Sequence, residues 1–140
     1  MNDATMADPF LGRWQLNKEK SRFDANHNPR GGTMVFERDG ADYVMKAEGV
    51  AEDGRTVAER PQRFILDGAA HPLGDYPQLA AVSTQPSPKA LHSEVRRQDG
   101  SIVGEGDYVV SDDGRSMTAT ATGFDSQLRR FQVTTVWDRA

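Results

Sequence analysis

The sequence predicts an all-β chain folded as an up-and-down antiparallel β-barrel of about 8–10 strands, on three observations. Asp-Gly pairs begin at Asp39, Asp53, Asp67, Asp99 and Asp113, and Asp-Gly supplies the positive φ that tight hairpin turns require. The first three pairs lie 14 residues apart and so do the last two, room for one strand and its turn each time. Between the turns apolar and polar residues alternate, and no long stretch carries a helical period.

Taken in order, the strands are expected near Leu11–Leu16, Thr33–Arg38, Asp42–Glu48, Thr56–Leu66, Leu79–Thr84, Ala90–Arg97, Ile102–Ser111, Ser116–Gly123 and Leu128–Asp138. The polar segment after Asn17 is broken by Pro29, which leaves one helical turn at Lys18–Phe23 and then a loop. Pro61 has no backbone donor, so the fourth strand is expected to be bulged or split there. From Gly68 to Leu79 two prolines and two glycines predict a second loop; the two loops are the expected rim or lid. Met117, Ala119 and Ala121 alternate with Thr118, Thr120 and Thr122, and such small side chains leave space wherever they face a lumen. On the last strand Phe131, Val133, Thr135 and Trp137 share one face, which is expected to point inward. Consecutive hairpins close more naturally into a barrel than into a Greek-key sandwich.

Composition sets the outer bounds. At 140 residues, with 36% hydrophobic and 27% charged, residues 1–140 fit a single domain, residues 1–9 being a flexible tail. The net charge of -4 and scattered Lys and Arg give no basic stripe for nucleic acid; Arg96-Arg97 and Arg129-Arg130 are expected on solvated strand surface. With no Cys there is no disulfide, thiolate nucleophile or thiolate metal ligand. No apolar run approaches the ~18 residues of a membrane span, and the N-terminus lacks signal-peptide regions, so the chain as given is expected to be cytoplasmic; a removed leader would look the same.

A barrel of this size encloses a small ligand between apolar walls, and the expected wall residues are Phe36, Tyr43, Met45, Phe64, Tyr108 and Phe131, some of which must fill the closed end. His92 and Glu94 share a strand face with Ala90 and Arg96. If that face lines the lumen they form an acid/base pair, and if it meets water they are ordinary surface residues. Glu59 and Arg63 flank Pro61 on another face, expected to meet solvent. His27, His71 and His92 are too far apart to make a close metal pair, so no metal and no cofactor is expected. Phosphate-loop, dinucleotide and Gly-x-Ser-x-Gly motifs are absent.

Near the N-terminus Gly12 precedes Trp14, one of two tryptophans; the glycine permits a close crossing of backbone and the indole buries a large apolar area beside Leu16. Gly12-Arg13-Trp14 on a first strand resembles the Gly-x-Trp signature of the lipocalin and calycin superfamily, and the continuation LNKEKSRFD resembles small bacterial lipocalin-like proteins. The resemblance implies that Trp14 plugs the base of the barrel and packs against a late arginine, with Arg129, Arg130 and Arg139 all eligible. It also implies that a lone histidine such as His71 or His92 is the residue type with which some related barrels hold haem. The superfamily's Thr-Asp-Tyr turn is missing, with Gly106-Asp107-Tyr108 a partial echo, and no helix follows the last strand. The expected function is binding of a small hydrophobic or amphipathic molecule in the barrel; the alternatives are a cofactor-free isomerase, cyclase or lyase using the same cavity, or a filled structural domain.

Overall fold

A computed structural model describes residues 8–23, 31–51, 53–58, 61–74, 76–124 and 129–140. Among them the chain forms eleven strands and no helix: β1 Gly12–Arg22, β2 Gly31–Asp39, β3 Asp42–Val50, β4 Thr56–Ala58, β5 Gln62–Phe64, β6 His71–Leu73, β7 Tyr76–Ser87, β8 Ala90–Arg97, β9 Ile102–Val110, β10 Ser116–Phe124 and β11 Arg130–Arg139. All pair antiparallel in one sheet of order β4-β3-β2-β1-β11-β10-β9-β8-β7-β6, with β5 also on β3. From β1 to β4 and from β6 to β11 consecutive strands are neighbours, and the first strand pairs the last.

The turns explain the meander. All five Asp-Gly glycines adopt positive φ, between 63° and 89°. In four of these turns the aspartate carboxylate accepts the backbone N–H two residues on, at 2.8–3.0 Å, which holds the bend before the next strand begins.

Three expectations are corrected. Eleven strands replace about nine, because the stretch around Pro61 divides into β4 and β5 and the expected second loop contains β6. The segment from Lys18 continues as strand to Arg22 instead of making a helical turn. Here Ser21 Oγ donates to the Asn17 carbonyl at 2.7 Å and accepts the Val136 N–H at 2.8 Å, so a side chain carries β1 across a bulge opposite β11. Third, among the described residues the ladder is not closed: no pairing joins β4 or β5 to β6. A seam therefore runs down the wall at mid-chain, while the first and last strands, β1 and β11, are zipped together. His27, Glu59 and Leu128, and residues 1–7 of the expected tail, lie outside the described residues.

The sheet nonetheless curls until its halves meet. Phe36 on β2 and Phe64 on β5 meet Tyr108 of β9 in edge-on ring contacts, with centroids 5.9 and 5.7 Å apart, and Gln85 of β7 donates to Tyr43 Oη of β3 at 3.3 Å. The core fills one end, with Phe10, Trp14, Phe36, Tyr43, Phe64, Leu91, Val110 and Met117 all at 2% exposure or less. Burial of that block is the main stabilising term, at about 25 cal/mol per Å² of apolar surface.

Candidate ligand site

At the filled end the pieces around Trp14 interlock. The indole N–H donates to the Phe10 carbonyl at 3.0 Å, and the Arg139 guanidinium lies 4.0 Å above the ring centre. Arg139 also donates to the Leu11, Pro9 and Gly114 carbonyls, tying the chain's first segment, its last strand and a hairpin turn to one cation. Gly12 has φ 118°, and a Cβ there would stand 3.2 Å from the guanidinium, so the glycine of Gly-Arg-Trp is the space that Arg139 occupies. Of the three eligible arginines, Arg139 makes the stack. Beside it Tyr43 Oη hydrogen-bonds Asp8, and burial together with that bond pushes the phenol up to about 12.

Strand register identifies the inner face above this base. Ladder partners share a face, so buried Leu91, Met117 and Trp137 carry Ser93, Val95, Gly104, Gly106, Ala119, Ala121, Val133 and Thr135 inward with them. These side chains are small. Apart from Ser93, the upper positions are only half-buried, in contrast to the sealed base, so solvent reaches the wall that the small residues leave uncovered.

Along the seam a cleft of about 440 Å³ opens between β5 and β6, with Gln62, Arg63, Ile65, His71, Leu73, Tyr76, Ala81 and Ser83 among its walls. Its ionisable side chains are already paired. Arg63 reaches Asp42 at 2.9 Å and also binds Asp39, and His71 Nε2 lies 3.0 Å from the Asp67 carboxylate. The Ala69 N–H and, after it, His71 hold the Asp67 carboxyl below its usual range.

Of the six expected wall residues, Phe36, Tyr43, Met45 and Phe64 are buried in the aromatic base and Tyr108 covers two of them. Phe131 stands apart toward the open end against Gly123, where a Cβ would be 3.2 Å from its ring. None of the six lines the cleft. His92 and Glu94 lie on the outer face, opposite in phase to Leu91 and Ser93. There the His92 ring joins Asp107 at 2.7 Å and Glu94 at 2.9 Å, and Arg96 donates to the other oxygen of Glu94 at 2.8 Å. The hydrogen bonds to Glu94 and Asp107 raise the imidazole pKa, while His92 and Arg96 lower that of Glu94. Among the described residues no group of three or more His, Asp or Glu is placed to hold a metal ion, and none forms a helix long and apolar enough to cross a membrane.

Sequence reasoning missed Gln62, Ala81, Ser83 and Ser93. The one available signal was a serine in the same strand phase as an apolar neighbour, as Ser93 is with Leu91.

Neither a protein-family model nor a curated protein matches the sequence. Solved structures do match in shape. Zebrafish ileal bile acid-binding protein, complexed with cholic acid, aligns over 94% of this chain and 99% of its own, with TM-score 0.59 and 9% identity. As-p18, an extracellular fatty acid binding protein, aligns over 95% and 97% with TM-score 0.52 and 12% identity. Rv2717c of M. tuberculosis aligns over 98% and 96% with TM-score 0.53 and 15% identity. The fold is therefore a lipocalin-like one, shared with these structures.

Proposed function

We propose that this lipocalin-like chain binds one small hydrophobic molecule in the open half of its interior. The observation that carries the reading is the division of the inner face: large aromatics seal the Trp14 end, while Gly104, Gly106 and Ala121 put no large side chain on the half-buried wall of the other end. Mixed walls of this kind, apolar with a few polar groups, suit small-molecule binding. That one structural neighbour holds cholic acid and another is a fatty acid binding protein supports the same reading. The isomerase, cyclase or lyase alternative needs His92 and Glu94 beside the bound molecule, and no observation favours it while both stand on the outer face.

The test is a titration with a neutral, apolar fluorescent probe. Saturation at about one probe per chain is expected, and Ala121→Phe, which projects a ring into the space, should weaken binding at least about tenfold while leaving the unfolding midpoint unchanged or higher. Absence of saturable binding, or an Ala121→Phe variant that binds as the parent does, overturns the reading.

A further inference from the structure

The seam that interrupts the ladder also gathers the interior's unmatched polar groups. Ser83 and Ser93 are ladder partners on β7 and β8, both inward, 3% and 7% exposed, with their hydroxyl oxygens 3.1 Å apart. Two hydroxyls carry two protons, and the bond between them uses one. Among the described residues neither side chain makes any other hydrogen bond. One buried proton is thus left without an acceptor, an omission with a real free-energy cost away from water. Across the next ladder Ser93 faces Gly106, so no side chain from β9 crowds it.

Gln62 adds to this. It is half-buried, stands opposite Met45 on the inner face, and its amide makes no hydrogen bond among the described residues. Gln62 and Ser83 both line the cleft, together with the apolar Ile65, Leu73 and Ala81. Nothing there calls for a charged ligand. Arg63 is neutralised by Asp39 and Asp42, and His71 is held by Asp67. The inward positions of β8 to β11 bear no charge between Arg139 at the base and Arg97 at the rim. A carboxylate drawn into this wall would lose its water and gain no cation.

We propose that the seam is the binding site for an uncharged, mainly apolar molecule that carries a carbonyl or ether oxygen. The oxygen accepts the spare serine proton and the Gln62 amide, and the apolar body lies on Ile65, Leu73 and Ala81. This rests on the reading of the chain as a binder and names the chemistry that its wall selects.

Competition separates the two ideas. Phenylnaphthylamine, neutral and fluorescent when bound, serves as reporter, displaced by methyl octyl ketone or by decanoate, matched in length and differing in charge. The ketone is expected to compete at concentrations at least about tenfold below those of decanoate. The double variant Ser83→Ala with Ser93→Ala removes both hydroxyls together, so it leaves no new orphan, and it should weaken the ketone about fivefold while the reporter's own Kd stays within about twofold. Gln62→Leu should weaken the ketone in the same direction. Decanoate competing as well as the ketone overturns the proposal, as does a double variant that binds reporter normally and ketone undiminished. A parent chain that does not bind the reporter at all overturns the binder reading itself, and the seam site with it.

Discussion

At the scale of single residues the base of the barrel is organised by one cation and the absence of one methyl group. Arg139 is held by a ring and three carbonyls, and burial pulls its guanidinium pKa down without removing its charge. Arg139→Met would keep the apolar stem and leave those carbonyls and the indole face unmatched. The expected loss is about 3 kcal/mol, measured by urea unfolding. Gly12→Ala tests the other half of the device against an internal control. Gly40 also has positive φ, 63°, but a Cβ there meets nothing within 4 Å, whereas at Gly12 φ is 118° and Arg139 is close. Gly40→Ala is therefore expected to cost about 1 kcal/mol and Gly12→Ala about 2–3 kcal/mol. Equal costs at the two sites would mean that Gly12 is merely another turn glycine and does not make room for the arginine.

Between elements, the outer face of β8 and β9 carries a cross-strand ionic cluster with a definite pH signature. His92 bonds to Glu94 on its own strand and Asp107 on the next, and both bonds favour the protonated ring. A histidine whose pKa is raised by folding stabilises the fold fully below its ordinary value of 6.5, and that support is lost as pH climbs through the raised value. Glu94, lowered chiefly by His92 and then by Arg96, acts in the opposite sense: its support exists above its ordinary value of 4.5 and is lost as pH falls through the lowered one. Stability from this cluster is thus expected to peak in mildly acidic solution. His92→Gln should flatten the fall in Tm on the alkaline side of pH 6.5, and an unchanged slope would show the pair to be energetically silent. Much of the element layout was legible beforehand because it is local chemistry: Asp-Gly turns fix where strands end, and Pro61 marks where one divides. The phase of β8 was not legible. Ser93 is inward and His92 outward, so neither face of that strand is uniformly apolar. The cleft was illegible for a different reason. It arises where β5 and β6, neighbours along the chain, fail to pair, and a missing ladder leaves no periodic signal in sequence.

For the molecule as a whole, the same seam should decide how stability and ligand are coupled. The ladder is continuous from β4 round to β6 through the joined chain ends, so the sheet has two free edges facing each other across the cleft. The strands along that seam, β4, β5 and β6, are three residues each, whereas β7 to β11 run for eight to twelve. Short, singly paired strands open at lower free energy than long central ones, so amide exchange is expected to be fastest at Gln62–Phe64 and His71–Leu73 and slowest through β9, β10 and β11. A ligand seated in the seam binds the closed arrangement and not the opened one. At a free concentration a hundredfold above Kd it adds about 2.7 kcal/mol of stability, a rise in Tm on the order of 10 °C for a domain of this size. The location of the effect discriminates more sharply than its size. Seating between the edges should slow exchange most in β5, β6 and the first half of β7, because those amides are freed by the opening that the ligand opposes. If slowing appears instead only along β10 and β11, the molecule is held by the small-residue wall, away from the edges, and the seam is simply where the sheet ends.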